Sequence, residues 1–135
     1  MNDQTIVRVR DVMKTGFDIV DGRMTITDAL SAMKYHDNKS LIVNRRDKDD
    51  EYGILLISDL AKQVLAKNRS PERVNVYEVM AKPVIVVDAD MQIKYCARMF
   101  DQFGLARAPV FDKGELVGLV SYTDMVLKGL MPDDA

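Results

Sequence analysis

Cysteine and histidine are almost missing: the 135 residues hold one of each, Cys96 and His36. A single cysteine closes no internal disulfide, and beside one histidine it falls short of the usual ligand set of a zinc site. A reducing, cytoplasmic setting suits such a chain. Long apolar runs are lacking too, none nearing the roughly 18 residues a membrane span needs. Met1-Asn2-Asp3-Gln4 shows neither the charged nor the apolar region of a secretion signal. Charge of one sign is not in excess: 19 Lys+Arg stand against 21 Asp+Glu, a net −2. That balance leaves no electrostatic footprint for nucleic acid or an anionic membrane. The carboxylate pairs Asp49-Asp50 and Asp133-Asp134 fall on expected loops with nothing to desolvate them, and no activated nucleophile stands out. The chain is therefore read as non-catalytic, with no catalytic cofactor and no metal. Hydrophobic residues are plentiful, at 47%, which excludes a charge-extended disordered chain. The length suits one compact body that buries about two thirds of its unfolded surface.

The chain repeats itself. With Val12-Met13 laid over Val79-Met80, an offset of 67, Val20-Asp21 meets Val87-Asp88, Met24 meets Met91, Ile26 meets Ile93 and Val43 meets Val110. Ala29 meets Cys96 and Met33 meets Phe100 in the same register. Beyond the next loop the offset is 65, where Gly53 meets Gly118 and Asp59 meets Asp124. The first copy thus has a loop two residues longer, the charged run from Arg45 to Glu51. Such internal similarity sets the architecture. Each copy, about 60 residues, is marginal alone, so the two should bury their apolar faces against each other.

Each copy reads as strand, helix, hairpin, helix. Phe17–Val20 and Val84–Val87 are short β-branched runs of strand length. Thr27-Asp28 and Asp90 stand where a helix needs an N-cap. Ala29, Leu30 and Met33, then Ile93, Ala97 and Phe100, recur at the helical period. Leu41-Ile42-Val43 and Pro109-Val110-Phe111 each return through a turn to Gly53–Ile57 or Leu116–Val120. Asp112-Lys113-Gly114-Glu115 places glycine where a tight hairpin wants positive φ. The last helices begin at Ser58-Asp59 and Thr123-Asp124, with a carboxylate in the first turn. Ahead of each first strand, Val9–Met13 and Val76–Met80 form short amphipathic lead-ins. The expected bounds are 7–68 and 76–130 for the copies, 69–75 for the linker around Asn68–Pro71, and 131–135 for a loose tail.

These residues resemble a tandem CBS domain pair, or Bateman module. The features that carry the resemblance are the Val-Met lead-ins, the doubled β-α-β-β-α order and the glycine, apolar, Ser/Thr-Asp close of each copy. Arg107-Ala108-Pro109-Val110 followed by Asp112, Gly114 and Leu116-Val117-Gly118 is similar to the family's second-hairpin pattern. The resemblance covers residues 7 to 130. It implies an α+β fold of two repeats with pseudo-two-fold symmetry, the small sheets packed face to face with helices outside. It also implies a regulatory sensor of adenosine-containing ligands (AMP, ADP, ATP, S-adenosylmethionine or NAD) held in a cleft between the copies. A homodimer and an unidentified effector protein belong to the same expectation.

The second copy is the better candidate site. Where a strand ends and a helix begins, free amides and the positive end of the helix dipole suit phosphate. Ser121 and Thr123 add hydroxyls, and Asp124, an acceptor-only carboxylate, suits the two adjacent hydroxyls of a ribose. Gly118 leaves room for a ligand or a neighbouring backbone. By resemblance, Ala108-Pro109 and the strand start at Lys82 and Val84 line the adenine slot, and Arg107 reaches phosphate from the rim. The first copy is weaker. Asp59 and Ser58 are kept, but Leu56 replaces Ser121, Ser40 replaces Arg107, and Leu41 and Ile42 replace Ala108 and Pro109. Thr15 and Phe17 take the places of Lys82 and Val84. Against all this stands the plainer reading that Ser/Thr-Asp at a helix start is ordinary capping, which would leave a ligand-independent interaction or dimerisation module. His36 reads as a surface residue, Cys96, Met33, Met99 and Met125 as packing, Tyr122 as packing at a strand end, and Arg45–Glu51 as a solvated loop tip.

Overall fold

Lys14 and Leu119 exchange backbone hydrogen bonds of 2.8 and 2.9 Å, and Ala81 and Ile54 exchange two of 2.9 Å. The two pairs are related by the sequence offsets, so the duplication is written into the backbone. The computed structural model describes residues 6–131. It divides into two units, one formed by the chain through Gly16 together with the chain from Ile85 on, the other by Phe17–Val84.

In the Phe17–Val84 unit, β1 (Ile19–Val20) pairs parallel with β2 (Ser40–Val43), which pairs antiparallel with β3 (Gly53–Leu56). All four β2 residues are buried, which requires cover on both faces and explains an unbroken apolar run instead of alternation. Helix α2 (Ile26–Ala32) and α3 (Ile57–Leu60), which continues as a π-helical turn over Ala61–Leu65, pack Ile26, Ala29, Leu60 and Val64 onto Leu41, Val43 and Leu55. The lead-in of the second copy, a 3₁₀ turn at Val76–Glu78, adds Val76 to this core.

The other unit is built likewise. Strand β4 (Val87–Asp88) lies parallel to β5 (Arg107–Asp112), and β5 is antiparallel to β6 (Glu115–Ser121) with a bulge between Val110 and Phe111. Helix α4 (Ile93–Phe103) and α5 (Tyr122–Gly129) supply Cys96, Phe100 and Met125 to the core. The first copy's lead-in, α1 (Val9–Val12), buries Val9 and Val12 here, among second-copy residues. Each lead-in thus serves the sheet of the other copy. Burial pushes the Cys96 thiol up to about 11, in keeping with a packing residue. Tyr122 meets the Phe100 ring edge-on at 5.3 Å.

Several local expectations are corrected. The first strand begins at Ile19, not Phe17; the Asp18 carbonyl still accepts from the Ile42 amide at 2.9 Å, while its buried carboxylate accepts from the Lys34 and Tyr35 amides at 3.0 and 2.9 Å. The second copy's strand starts at Val87, since the Val84 amide donates to Tyr52 O within the Phe17–Val84 unit, and Ile85 and Val86 are exposed. Thr25, not Thr27, caps α2 by accepting from the Asp28 amide. Gln92, not Asp90, is the N-cap of α4, because the Asp90 carboxylate binds Arg10. The last helices start one residue earlier than expected, at Ile57 and Tyr122, so Asp59 and Asp124 sit in the third helical position. His36 is exposed but opens a 3₁₀ turn, the helix having ended at Ala32. The hairpin is as expected, with positive φ at Lys113 and Gly114. Of the expected tail only Met131 is described. Asp133 and Asp134 lie outside the described residues.

Candidate functional site

Ser121 closes β6 and faces Arg107 across the β5–β6 ladder. Its extended backbone makes it the N-cap of α5, and it forms a capping box with Asp124. The Ser121 amide and hydroxyl both donate to Asp124 Oδ2, at 3.1 and 2.9 Å, and the Asp124 amide donates to Ser121 Oγ at 3.2 Å. The first amide of α5, on Tyr122, donates to Ala106 O. Asp124 is only 4% exposed. Its Oδ1 lies 3.9 Å from Lys14 Nζ and 3.7 Å from Lys128 Nζ. Lys128 also donates to Val12 O. Arg107 is half-buried: desolvation lowers its pKa, and the Asp124 charge works against that fall. Two ammonium groups therefore flank one carboxylate at the start of an eight-residue helix, and Arg107 stands opposite the N-cap Ser121 on the neighbouring strand. Positive charge is left over at a tip that already favours anions.

The other predicted residues divide by unit. Thr123 is exposed at the second position of α5, while Ala108 and Pro109 are wholly buried. Only backbone at those two positions can face a ligand. Gly118 admits a neighbouring backbone: a Cβ there would lie 2.7 Å from Lys14 O. Lys82 and Val84 belong to the other unit. Lys82 donates to Asp50 at 2.7 Å. Asp50 is therefore not the solvated loop carboxylate expected; it also accepts from the Arg46 amide and guanidinium. Both partners hold its pKa below the usual carboxylate range.

In the first copy, Leu41 and Ile42 are buried, Ser58 is exposed and Asp59 half-buried, all with Phe17 in the Phe17–Val84 unit, whereas the exposed Thr15 lies in the other. Leu56 is the N-cap position of α3 and offers no side-chain acceptor. The counterparts of Lys14, Arg107 and Lys128 are Ala81, Ser40 and Gln63. Every cation of the second-copy site is replaced. Sequence reading missed Lys14 and Lys128, although aligning the copies at residues 14 and 128 exposes both differences.

Among the described residues no group of three or more His, Cys, Asp or Glu is placed to hold a metal ion. Nor is any described helix long and apolar enough to cross a membrane.

The CBS domain family model matches the chain twice, over residues 9–66 and 76–129. The chain belongs to the CBS domain family and is a tandem pair of such domains. An uncharacterized protein of Methanopyrus kandleri is 30% identical over 113 residues, 81% of this chain; the chain spans 57% of that relative's length. The hexameric CBS-CP12 protein of bloom-forming cyanobacteria has the same fold, with a TM-score of 0.87 and 34% identity over 92% of this chain and 68% of that one. A CBS domain pair in complex with 5′-methylthioadenosine and S-adenosyl-L-methionine shares the fold at a TM-score of 0.74 and 24% identity, over 90% of this chain and 94% of that one.

Proposed function

We propose that this chain is a non-catalytic regulatory module that binds an adenosine-containing ligand at the N-terminal end of α5. The observation that carries this reading is the placing of Lys14 and Lys128 beside Asp124, with Arg107 opposite Ser121 on the adjoining strand. One carboxylate against three cations leaves positive charge for a phosphate, or for the sulfonium ligand's own carboxylate, beside the helix tip. Ser121 and Thr123 add hydroxyls. Asp124 grips ribose by exchanging the Ser121 hydroxyl for those of the sugar, one O–H donor for another. The complex of the related CBS pair with 5′-methylthioadenosine and S-adenosyl-L-methionine supports the ligand class. The hexameric relative supports self-association, and through it the coupling of a ligand to an effector protein.

The test is calorimetry with AMP, ADP, ATP, S-adenosylmethionine and NAD, on the wild-type chain and on Lys14→Ala and Arg107→Ala. At 100 times its dissociation constant a true ligand adds about 2.7 kcal/mol of stability, visible as a melting shift. At least one should bind, and each substitution should weaken it roughly tenfold. Silence from all five overturns the reading.

The burial of Asp124 and its reciprocal bonds with Ser121 favour a second reading, a ligand-independent interaction or dimerisation module. Under it, the five ligands leave the melt unmoved and the chain still self-associates.

A further inference from the structure

The lead-ins dock through the same backbone bonds in both units but carry different side chains. The Arg10 amide donates to Ala89 O at 2.9 Å, and Tyr77, 67 residues on, donates to Gly22 O at 2.9 Å. In the first case the Arg10 guanidinium spans two carboxylates, Asp90 at 2.6 Å and Asp112 at 3.4 Å. Those positions correspond to Arg23 and Arg45. The sign is reversed at both edges, and the central arginine has become Tyr77.

What results is a cavity of about 790 Å³ whose lining includes Arg23, Arg45, Arg46, Lys82, Tyr77 and Met80. Asp21 is the lining carboxylate; Asp50 stands behind the lining, bound to Arg46 and Lys82. Four cations against two carboxylates leave a surplus of two positive charges. None of the loop's acidic residues, Asp47, Asp49, Asp50 and Glu51, is in the lining. Arg23 meets Asp21 at 2.9 Å with an 88% exposed side chain, and Arg45 lies over the Tyr52 ring. Exposed contacts of this kind contribute little, so an incoming anion displaces them at small cost.

We infer that this cavity is a second ligand site, independent of the α5 site, and that it takes a small organic phosphate. The phosphate completes the bridge that Arg10 makes in the other unit, with the signs exchanged. A dianion matches the surplus charge, and guanidinium forks suit its oxygens. The volume lies within the range of small-molecule pockets, well beyond a bare ion. Tyr77 and Met80 supply the face for the organic part.

Phenyl phosphate is the probe, followed by amide NMR on the full chain, with inorganic phosphate and phenol as controls. It should shift the Gly22, Asn44, Arg45 and Tyr77 amides saturably in the millimolar range, more tightly than either control. Arg23→Glu with Arg45→Glu should weaken it by about tenfold or more, while Lys14→Ala leaves it unchanged. Both arginines are exposed, and an unchanged melt checks the fold of the double variant. Absence of saturation, equal response to phenol, or indifference to the charge reversal overturns the inference. So do shifts confined to residues 118–124 that vanish in Lys14→Ala, since those belong to the α5 site. Failure of the adenosine reading leaves these shifts untouched.

Discussion

Ser121 and Asp124 satisfy each other in both directions, the serine amide and hydroxyl donating to the carboxylate and the aspartate amide donating back to the serine oxygen. This reciprocity joins two roles in one carboxylate. It caps α5, and it is the acceptor proposed for a sugar. Substitutions separate the roles. Asp124→Ala removes a cap and bonds to a charged group in a buried place, and should cost about 1–3 kcal/mol of stability. Asp124→Asn keeps an acceptor for Ser121 and loses only the charge facing the half-exposed Lys14 and Lys128, so its melt should stay nearer to wild type. If Asp124 holds ribose, the asparagine variant should still bind the adenosine ligand roughly tenfold more weakly. Paired melting and calorimetry read the two effects, and a binding loss that follows only the melting loss assigns Asp124 to capping alone.

Asp18 is the corresponding hidden support in the Phe17–Val84 unit. Its carboxylate, 9% exposed, accepts from two consecutive backbone amides just after α2. Asp18→Ala leaves both donors without that acceptor and should destabilise by about 2–4 kcal/mol. Asp18→Asn, with one acceptor oxygen, should fall between. Denaturant unfolding checks the order.

The duplication was legible because its two offsets survive as matched backbone bonds, Lys14 with Leu119 and Ala81 with Ile54. Strand, helix and hairpin order followed from periodicity, and Gly114 marked its turn. The destination of the lead-ins was not legible. Val9 and Val12 are short apolar pairs that fit either of two homologous sheets, and local pattern carries no information on which one they join. The strand starts were misplaced for a related reason: an apolar run looks the same whether its amides serve a ladder or a neighbouring carbonyl, as at Val84. At the candidate site, Ser121 and Asp124 stand out in the sequence as a pair, but three-residue spacing suits a capping box and a ligand equally. The cations Lys14 and Lys128 were passed over because neither stands inside a recognisable motif.

Gly118 distinguishes close backbone approach from ligand clearance. A Cβ there meets Lys14 O at 2.7 Å and Met13 Sδ at 2.8 Å. The carbonyl is held by the Leu119 amide and cannot swing away as a side-chain tip can. Gly118→Ala should therefore destabilise by about 1–3 kcal/mol. Gly22→Ala is the control, because its Cβ meets Val43 Cγ1 at 3.5 Å and Tyr77 Cβ at 3.6 Å, ordinary contact distances, and should change stability by about 0.5 kcal/mol or less. Equal melts for the two variants would mean that α1 and the segment after it yield readily from β6.

Acid should loosen the loop between β2 and β3 through Asp50. Its pKa is held below the usual carboxylate range by the Arg46 guanidinium first and the Lys82 ammonium second. A depressed folded-state value means that the contribution is complete above the unfolded value of about 3.9 and is lost as pH falls from there through the folded one. Asp21 behaves alike but separately, lowered to about 2 by Arg23. Asp50→Asn removes the titrating group while leaving Arg46 and Lys82 in place. Its stability should already be lower at neutral pH, and the decline from about pH 5 to about pH 2 should be shallower than in the wild type. Circular dichroism melts across that range measure the slope. Parallel slopes in wild type and variant would show that Asp50 titrates the same way in the folded and unfolded chain, and that its bonds to Arg46 and Lys82 do not hold in solution.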